Sequence, residues 1–515
     1  MPLRANFAMT DTDMGEGAAV LMGALDNDAA SAYAAAAPAT RSNPPAYVPR
    51  DTFALPKGAD RHYAQQYADM YYARLSELKP VLEERAMEAW AEFEISGQKA
   101  RQVERVLDVR QGELSWVVGT VYCEMALKPN ILDDIAKEHW MAAPPRREKY
   151  RSSDGKDEMM LEDESGRLRL TGAALDTDML VTGCIIAALG SENADGVFEV
   201  IATQVPDLPA QPARWALTGK QGQEQRAGNK IALVSGLGIS GAAGNTMALD
   251  LLAEYLTGEA QSGAAQASAQ RISRLIIAGD SLAHASPIPS REDVAAKKGQ
   301  KHKYGYDAAA YNAAPTERLD DFLAALLPTL PVTLLPGAQD PASVAVPQQP
   351  LHAALFPKSR AWAAPPGEAA PDTPRDGFPM HAVTNPWEGE VDGWRFLGSG
   401  GQPVADVAKY VAEESRAAIM ERMLRWRNNA PTAPDTLWTY PFQDSDPLLL
   451  LDCPHVYFAG NQPHFETSLI EGPEAQAVRL VALPRFVDTG EIVLLDAETL
   501  DVEVVRVGVG LGGRE

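Results

Sequence analysis

The residues best placed to do chemistry follow short apolar runs, at turns where a strand would hand over to a helix or a loop. Ile231–Ser235 is apolar and β-rich, ends in Gly236-x-Gly238-x-x-Gly241, and precedes a helical pattern over Thr246–Leu256. A strand, a glycine turn and a helix can cradle a dinucleotide, because glycines let the backbone close on the pyrophosphate at a helix N-terminus. The same chemistry needs an acidic side chain about 20 residues further on, to hold a ribose. The next apolar run ends instead at Asp280, roughly twice that distance away. Nucleotide binding through Gly236-x-Gly238-x-x-Gly241 is therefore the lesser of the alternatives.

A comparison of several strand ends suggests different chemistry. A two-metal phosphoesterase gathers Asp, His and Asn ligands at the carboxyl ends of its strands, where the metals acidify a bridging water and clamp phosphate oxygens. Its turns read Asp-x-His, Gly-Asp, Gly-Asn-His-Asp/Glu, an isolated His and Gly-His-x-His. Here Gly236-Leu237-Gly238 takes the first place, and Gly279-Asp280 keeps its acid. Gly337-Ala338-Gln339-Asp340 carries Ala and Gln where Asn and His would stand. Asn385 occupies the isolated position, and Gly460-Asn461-Gln462-Pro463 replaces both terminal histidines. Gly, Ala and Pro offer no side-chain donor, and Asp280 with Asp340 makes at best a weak site for a hard cation.

Gly236, Gly238, Asp280, Ala338, Gln339, Asp340, Asn385, Asn461 and Pro463 accordingly read as vestigial positions, with no catalytic residue, metal ligand or cofactor assigned. His352, His381 and His464 lie near these turns but lack paired spacing, so they read as ordinary surface or core histidines. Asp280-Ser281 beside His284 has no evident oxyanion partner. Walker, nucleophile-elbow, His-Glu-x-x-His and kinase signatures are absent. A metal-dependent phosphoesterase with residual activity stands as the alternative to a protein without chemistry.

The elements that would hold these turns point to two or three domains in 515 residues. Residues 1–58 are Ala-, Asp-, Asn- and Pro-rich and read as a disordered tail. Residues 59–100 read as helices: Tyr63, Tyr67, Met70, Tyr71, Arg74, Leu75 and Leu78 recur at helical spacing, and Pro80 is placed to start a second helix through Trp90 and Phe93. Residues 101–210 carry five β-runs, the first being Leu114–Met125 with Gly119 near its middle, and a polar, partly helical insert follows it. That pattern predicts an OB-type barrel. Acidic residues from Asp157 to Glu164 take the place of a basic groove.

Residues 211–515 alternate buried strands at 275–278, 332–335, 381–384 and 456–459 with helical patterns at 319–327 and 405–424, an α/β sandwich. The tail adds runs at 477–483, 491–495 and 502–507, predicted as antiparallel strands linked around Asp488–Gly490. Stretches near 259–273, 290–315 and 358–380 read as surface insertions. The fold class is thus α/β plus all-β: an OB-type barrel and a calcineurin-like sandwich lacking metal ligands, behind a helical N-terminal segment.

A net charge of -24 opposes direct binding to a phosphate backbone. The basic run Lys297–Lys303 is short and falls in a loop-like insert. Any link to DNA is expected to be indirect. Neither a signal peptide nor a membrane-length apolar run is evident. Cys123, Cys184 and Cys453 sit in apolar runs and read as buried, reduced thiols of an intracellular protein.

The order of these pieces resembles the B-subunit family of the replicative DNA polymerases alpha, delta and epsilon. Several strings are similar to the delta-type small subunits. They are Gln65-Gln66-Tyr67, Leu161–Glu164, Leu180–Gly183, Leu233–Gly238, Pro347–His352, Thr384–Pro386, Asp392–Gly398 and Tyr457–Asn461, in order from about Tyr63 to Val507. The resemblance implies a non-catalytic accessory subunit of polymerase delta in the nucleus, acting in replication and repair synthesis. It would bridge the C-terminal metal-binding module of the catalytic subunit to a third, extended subunit. Any iron–sulfur cluster or zinc would then belong to the partner.

Overall fold

The computed structural model describes residues 41, 46–61, 63, 67–129, 147–152, 155–217, 228–240, 246–259, 263–283, 313–364 and 378–508. The chain first appears as a strap. Arg41 donates to the carbonyls of Leu256, Ala269 and Ile272. β1 (Tyr47–Pro49) then pairs antiparallel with residues 389–391. Tyr47, Val48 and Phe53 are buried. The expectation of a disordered tail to residue 58 is therefore wrong for residues 46–58. A few apolar side chains suffice to order a short run when a sheet edge satisfies its backbone. Residues 1–40 lie outside the described residues.

α1 (Tyr67–Trp90) is one helix where two were expected, and Pro80 lies inside it. Leu75, Leu78, Leu82, Ala86 and Trp90 form one buried face against Trp116, Val118, Ile185, Ala187 and Leu189. Pro80 and Ser76 are both exposed. The carbonyl that the proline leaves unpaired therefore faces solvent, and the packed face carries the helix across the break. The next residues are not helical: β2 (Glu94–Ile95) and β3 (Gln98–Lys99) form a hairpin. Its turn residues, Ser96 and Gly97, have positive φ, as a tight hairpin turn requires.

β4 (Arg101–Gln102) leads to β5 (Ser115–Glu124), β6 (Glu158–Glu162) and β7 (Arg167–Thr171). After the short α2 (Ala173–Thr177) come β8 (Ile185–Glu192) and β9 (Val197–Gln204). β5 pairs with β6 along its second half and with β8 along its first, closing the ring β5-β6-β7-β9-β8. This is the OB barrel expected from the five β-runs, with β4 appended. Gly119 sits where β5 changes partner, and a Cβ there would lie 2.7 Å from Leu161 Cγ and 2.8 Å from the Glu162 carbonyl. Most of the insert after β5, residues 130–146, is outside the described residues.

The remaining chain builds two six-stranded sheets. β10 (Lys230–Val234), α3 (Thr246–Thr257), α4 (Gly263–Gln270), β11 (Ile272–Ala278), α5 (Ala314–Leu326), β12 (Val332–Leu335) and β13 (Met380–Ala382) run first. β14 (Trp387–Val391) and β15 (Trp394–Ser399) form a hairpin, followed by α6 (Gln402–Tyr410) and α7 (Arg416–Arg425). β16 (Val456–Gln462), β17 (Glu466–Glu471), β18 (Ala477–Pro484), α8 (Phe486–Thr489), β19 (Glu491–Asp496) and β20 (Val502–Arg506) complete it. The sheet orders are β13-β12-β11-β10-β19-β20 and β1-β14-β15-β16-β18-β17.

Alternation along the strands explains the layering. Ile231, Leu233, Ile276, Leu335, Val493 and Leu495 of one sheet meet Trp387, Phe396, Val456, Phe458, Val481 and Leu483 of the other. On the outer face of the first sheet, Val234, Leu275, Ile277 and Leu334 pack on α3 and α5. On the outer face of the second, Tyr457, Ala459, Leu480 and Ala482 pack with Val407, Met420, Met423 and Leu424 of α6 and α7, continuous with the barrel core. Both faces of the central strands are buried, so they read as unbroken apolar runs.

Four expectations need correction. The stretch 259–273 is not a surface insertion: it contains α4 and the start of β11, and Ala269 and Ile272 are buried. The helical pattern over 405–424 is two helices, α6 and α7. β18 runs parallel to β16 in one sheet, while β19 pairs with β10 in the other, with the helical turn α8 crossing between them. The linkage at Asp488–Gly490 thus joins sheets and not neighbouring strands. Within 358–380, Ser359 is buried and the backbone N–H groups of Lys358 and Ser359 donate to the Asp320 carboxylate, so this end is built into the fold. Residues 284–312 and 365–377 lie outside the described residues.

Candidate functional site

The turns after β10, β11, β12, β13, β15 and β16 converge at one end of the sandwich. Parallel pairing of β10, β11, β12 and β13 aligns their carboxyl ends, and parallel β15, β16 and β18 do the same in the facing sheet. The structure therefore brings Gly236, Gly238, Asp280, Gln339, Asp340, Asn385 and Asn461 to one rim. Ala338 and Pro463 belong to the same turns but are exposed. Gly241 is outside the described residues.

At this rim backbone meets backbone. The Gly236 N–H donates to the Gly279 carbonyl at 3.0 Å, and the Gly238 N–H to the Asp280 carbonyl at 3.1 Å. A Cβ on Gly236 would stand 2.7 Å from Asn461 Oδ1, and one on Gly401 1.8 Å from the Gly460 carbonyl. A Cβ on Gly279 would lie 3.0 Å from the Cα atoms of both Gly337 and Gly400. Gly236, Gly238, Gly279 and Gly401 all hold positive φ, which glycine adopts without strain.

The two acids already have donors. Asp340 accepts from the backbone N–H groups of Gly337, Leu282 and Ser281 at 2.8, 2.9 and 3.2 Å. Asp280 accepts from the Gln339 N–H at 2.8 Å and itself has a positive φ. Burial pushes the Asp340 carboxyl up to about 7, the nearby Asp280 adding to the shift against its three backbone donors. Burial also raises Asp280, opposed by the Gln339 N–H and by Arg485. The pair thus staples the β11 turn to the β12 turn. Among the described residues, no three His, Cys, Asp or Glu side chains gather as a metal would require.

The amides close the rest. Asn385 is fully buried; its Nδ2 donates to Gln348 Oε1 at 2.8 Å and Gln402 Oε1 at 3.0 Å, and its Oδ1 accepts from the Gly400 N–H at 2.8 Å. Asn461 Nδ2 donates to the Gly400 carbonyl, and its N–H to Ser235 Oγ, both at 2.9 Å. Gln348, Gln402, Gly400 and Ser235 carried no role in the sequence reading. Gln348 lies in the Pro347–His352 string and Ser235 in the Leu233–Gly238 string, the available signals, while Gln402 follows a strand that periodicity did not find.

The histidines do other work. His352 Nδ1 accepts from the Ala354 N–H on the surface. His381 is buried, with its ring 4.3 Å from that of Tyr47. His464 is exposed and pairs with Glu466, whose carboxylate accepts from Ser415 Oγ and the N–H groups of Arg416 and Ala417 at the start of α7. His284 falls outside the described residues. All three cysteines are free and buried.

Comparison with known proteins adds an independent line. The profile of a family described as the DNA polymerase delta subunit OB-fold domain matches residues 66–203. A second profile, that of the B-subunit of DNA polymerases alpha and epsilon, matches residues 231–467. Over 442 residues the chain is 35% identical to the DNA polymerase delta small subunit of Oryza sativa subsp. japonica, covering 86% of this chain and 93% of that protein. The Arabidopsis thaliana protein of the same name is 34% identical over 442 residues, covering 86% and 91%. That of Saccharomyces cerevisiae is 33% identical over 479 residues, covering 87% and 91%.

Proposed function

From the premise that this chain belongs to the family of DNA polymerase delta small subunits, we propose that it is the non-catalytic scaffold of that polymerase, holding the C-terminal metal-binding module of the catalytic subunit on one surface and a third, extended subunit on another. It works in the nucleus, in replication and repair synthesis, and meets DNA through its partners. On this reading residues 101–210 are the barrel domain and 211–515 a calcineurin-like sandwich that is an inactive phosphodiesterase.

The observation that carries the reading is the closed rim. Where a hydrolase needs an open dinuclear cleft, this chain has glycine turns in contact and two carboxylates occupied by backbone N–H groups. The charge of -24 supports indirect contact with DNA. The test is to express the full chain with the polymerase delta catalytic subunit of its own cells and to assay the purified chain on a phosphodiester with manganese. Stable co-purification without hydrolysis is the expected result.

Asp280 and Asp340 keep one second reading in view, a residual metal-dependent phosphoesterase. Hydrolysis that depends on metal and is abolished by Asp280→Ala would establish it in place of the scaffold reading. Nucleotide binding has less support, because the N–H groups of Gly236 and Gly238 are already donated to neighbouring carbonyls. Calorimetry with NAD and ATP is expected to show no heat.

A further inference from the structure

The two sides of the sandwich are closed differently. On one side the strap supplies the last strand. β1 pairs with β14, and Tyr47, 1% exposed, lies between the sheets. Its ring stands 4.3 Å from that of His381 on β13, and Arg274 Cζ of β11 lies 4.0 Å from its centroid. An extended segment thus lengthens one sheet through its backbone and fills the gap to the other with one large side chain.

On the opposite side nothing among the described residues does this. β17 ends one sheet and β20 the other. Register fixes which side chains face the gap. Thr467 stands opposite Val481, while Val502 and Val504 stand opposite Leu495 and Val493, all three partners belonging to the core between the sheets. Leu469, two residues beyond Thr467, shares its face. It stands opposite Arg479, whose Nε donates to the Leu500 carbonyl in the β19–β20 turn at 2.8 Å, so the sheets are tied together one strand in from this edge. Leu469 is 51% exposed, and Val502 and Val504 are only partly buried. β17 also lacks the usual blunting of an exposed edge: Thr467–Ile470 carries neither charge nor proline, and the pairing with β18 has no bulge. The edge therefore offers unpaired backbone groups beside an apolar gap, the two things that the strap takes up on the other side.

We propose that β17 accepts, as an added strand, an extended segment of another subunit of the polymerase, bearing a bulky apolar side chain that covers Leu469 and enters the gap beside Val502 and Val504. A second copy of this chain fits poorly. Antiparallel pairing of two β17 strands about a two-fold axis sets Glu466 of one opposite Glu471 of the other at both ends, and each chain carries a net charge of -24. The inference rests on the scaffold reading and adds to it one docking edge and the form of the segment that fills it.

The test assembles the full-length chain with the recombinant catalytic and third subunits of the polymerase delta of its own cells, and follows hydrogen exchange in the free and the assembled chain. The amides of Glu466–Glu471 that exchange rapidly in the free chain are expected to slow about tenfold or more on assembly, while those of Tyr47–Pro49 stay as they were. Leu469→Lys, at an exposed position, is expected to keep its melting temperature and to weaken assembly about tenfold; Leu469→Val is expected to assemble as the wild type does. Wild-type chain that assembles with neither subunit overturns the scaffold reading and this inference with it. Assembly that leaves exchange at β17 unchanged overturns the docking edge alone. Slowing that appears in the free chain as its concentration rises, together with a dimer in sedimentation, identifies a second copy as the occupant and overturns it as well.

Discussion

At Asp340, three backbone N–H groups favour the carboxylate while burial and Asp280 oppose it, and the opposing forces win, placing its titration at about 7. An unfolded chain would titrate the same group near pH ~3.9. Between those values the folded state holds a proton that the unfolded state has released, so this group's contribution to stability falls as pH rises from about 4 to about 7. Asp340→Asn removes the titration. The wild type is therefore expected to exceed the variant in melting temperature by more at pH 5 than at pH 8, as paired thermal melts would show; a constant difference would mean that Asp340 does not titrate in this range. Residue types at the rim were legible because turns select Gly, Asp and Asn for conformational reasons. What each side chain holds was not. Asn385 reads as a replaced ligand, yet its amide ties Gln348 to Gln402 across more than fifty residues of sequence, a connection that no local pattern encodes.

Elements with a strong period were found and their limits misjudged. The buried face of α1 is plain in the spacing of Leu75, Leu78, Leu82, Ala86 and Trp90, but Pro80 suggested a boundary that packing overrides. Because Pro80 is exposed, Pro80→Ala restores an N–H to the ladder without opening a cavity. The variant is expected to gain about 1–3 kcal/mol, read as a higher urea midpoint; an unchanged or lower midpoint would show that the break itself is needed. The hairpin of β14 and β15 was missed because Trp387-Glu-Gly-Glu-Val391 mixes glycine and charge, although both strands lie largely buried within their sheet. Glu388 is satisfied there by Arg395 of the partner strand and by Arg50, the latter an ion pair made by a distant segment. β18 and β19 were legible as strands, but nothing in the short connection between them says that they enter different sheets.

Across the whole molecule, the barrel, the entry helix and the sandwich share packing, with one apolar cluster running from Val117 and Leu161 through Met420 to Leu480. Arg74 fastens this junction from inside. It is buried, its Nε pairs with Asp446 at 2.5 Å, and Nη1 donates to the Ala433 carbonyl at 2.6 Å. Arg74→Met leaves Asp446 buried without its cation, and a loss of about 3–5 kcal/mol is expected, measured by urea denaturation. Adding Asp446→Leu is expected to recover part of that loss; no recovery would mean that the carbonyl contacts matter more than the charge pair. Domain content was legible from the switch between β-rich and alternating segments, whereas the strap was not. Arg41 reaches the ends of α3 and α4, and β1 joins the opposite sheet.

The glycine contacts at the rim also bear on the routes open to mutation. Gly236 and Asn461 face each other across the two sheets, and a Cβ at the first would crowd the amide of the second. A Cβ on Gly401 would meet the backbone carbonyl of Gly460, which no exchange of side chains removes. A donor side chain placed at Gly236 would therefore strain the fold unless Asn461 changed in the same step, and one at Gly401 would strain it whatever else changed. Such epistasis makes the building of a metal site at this rim inaccessible to single substitutions, whatever benefit the finished site would bring.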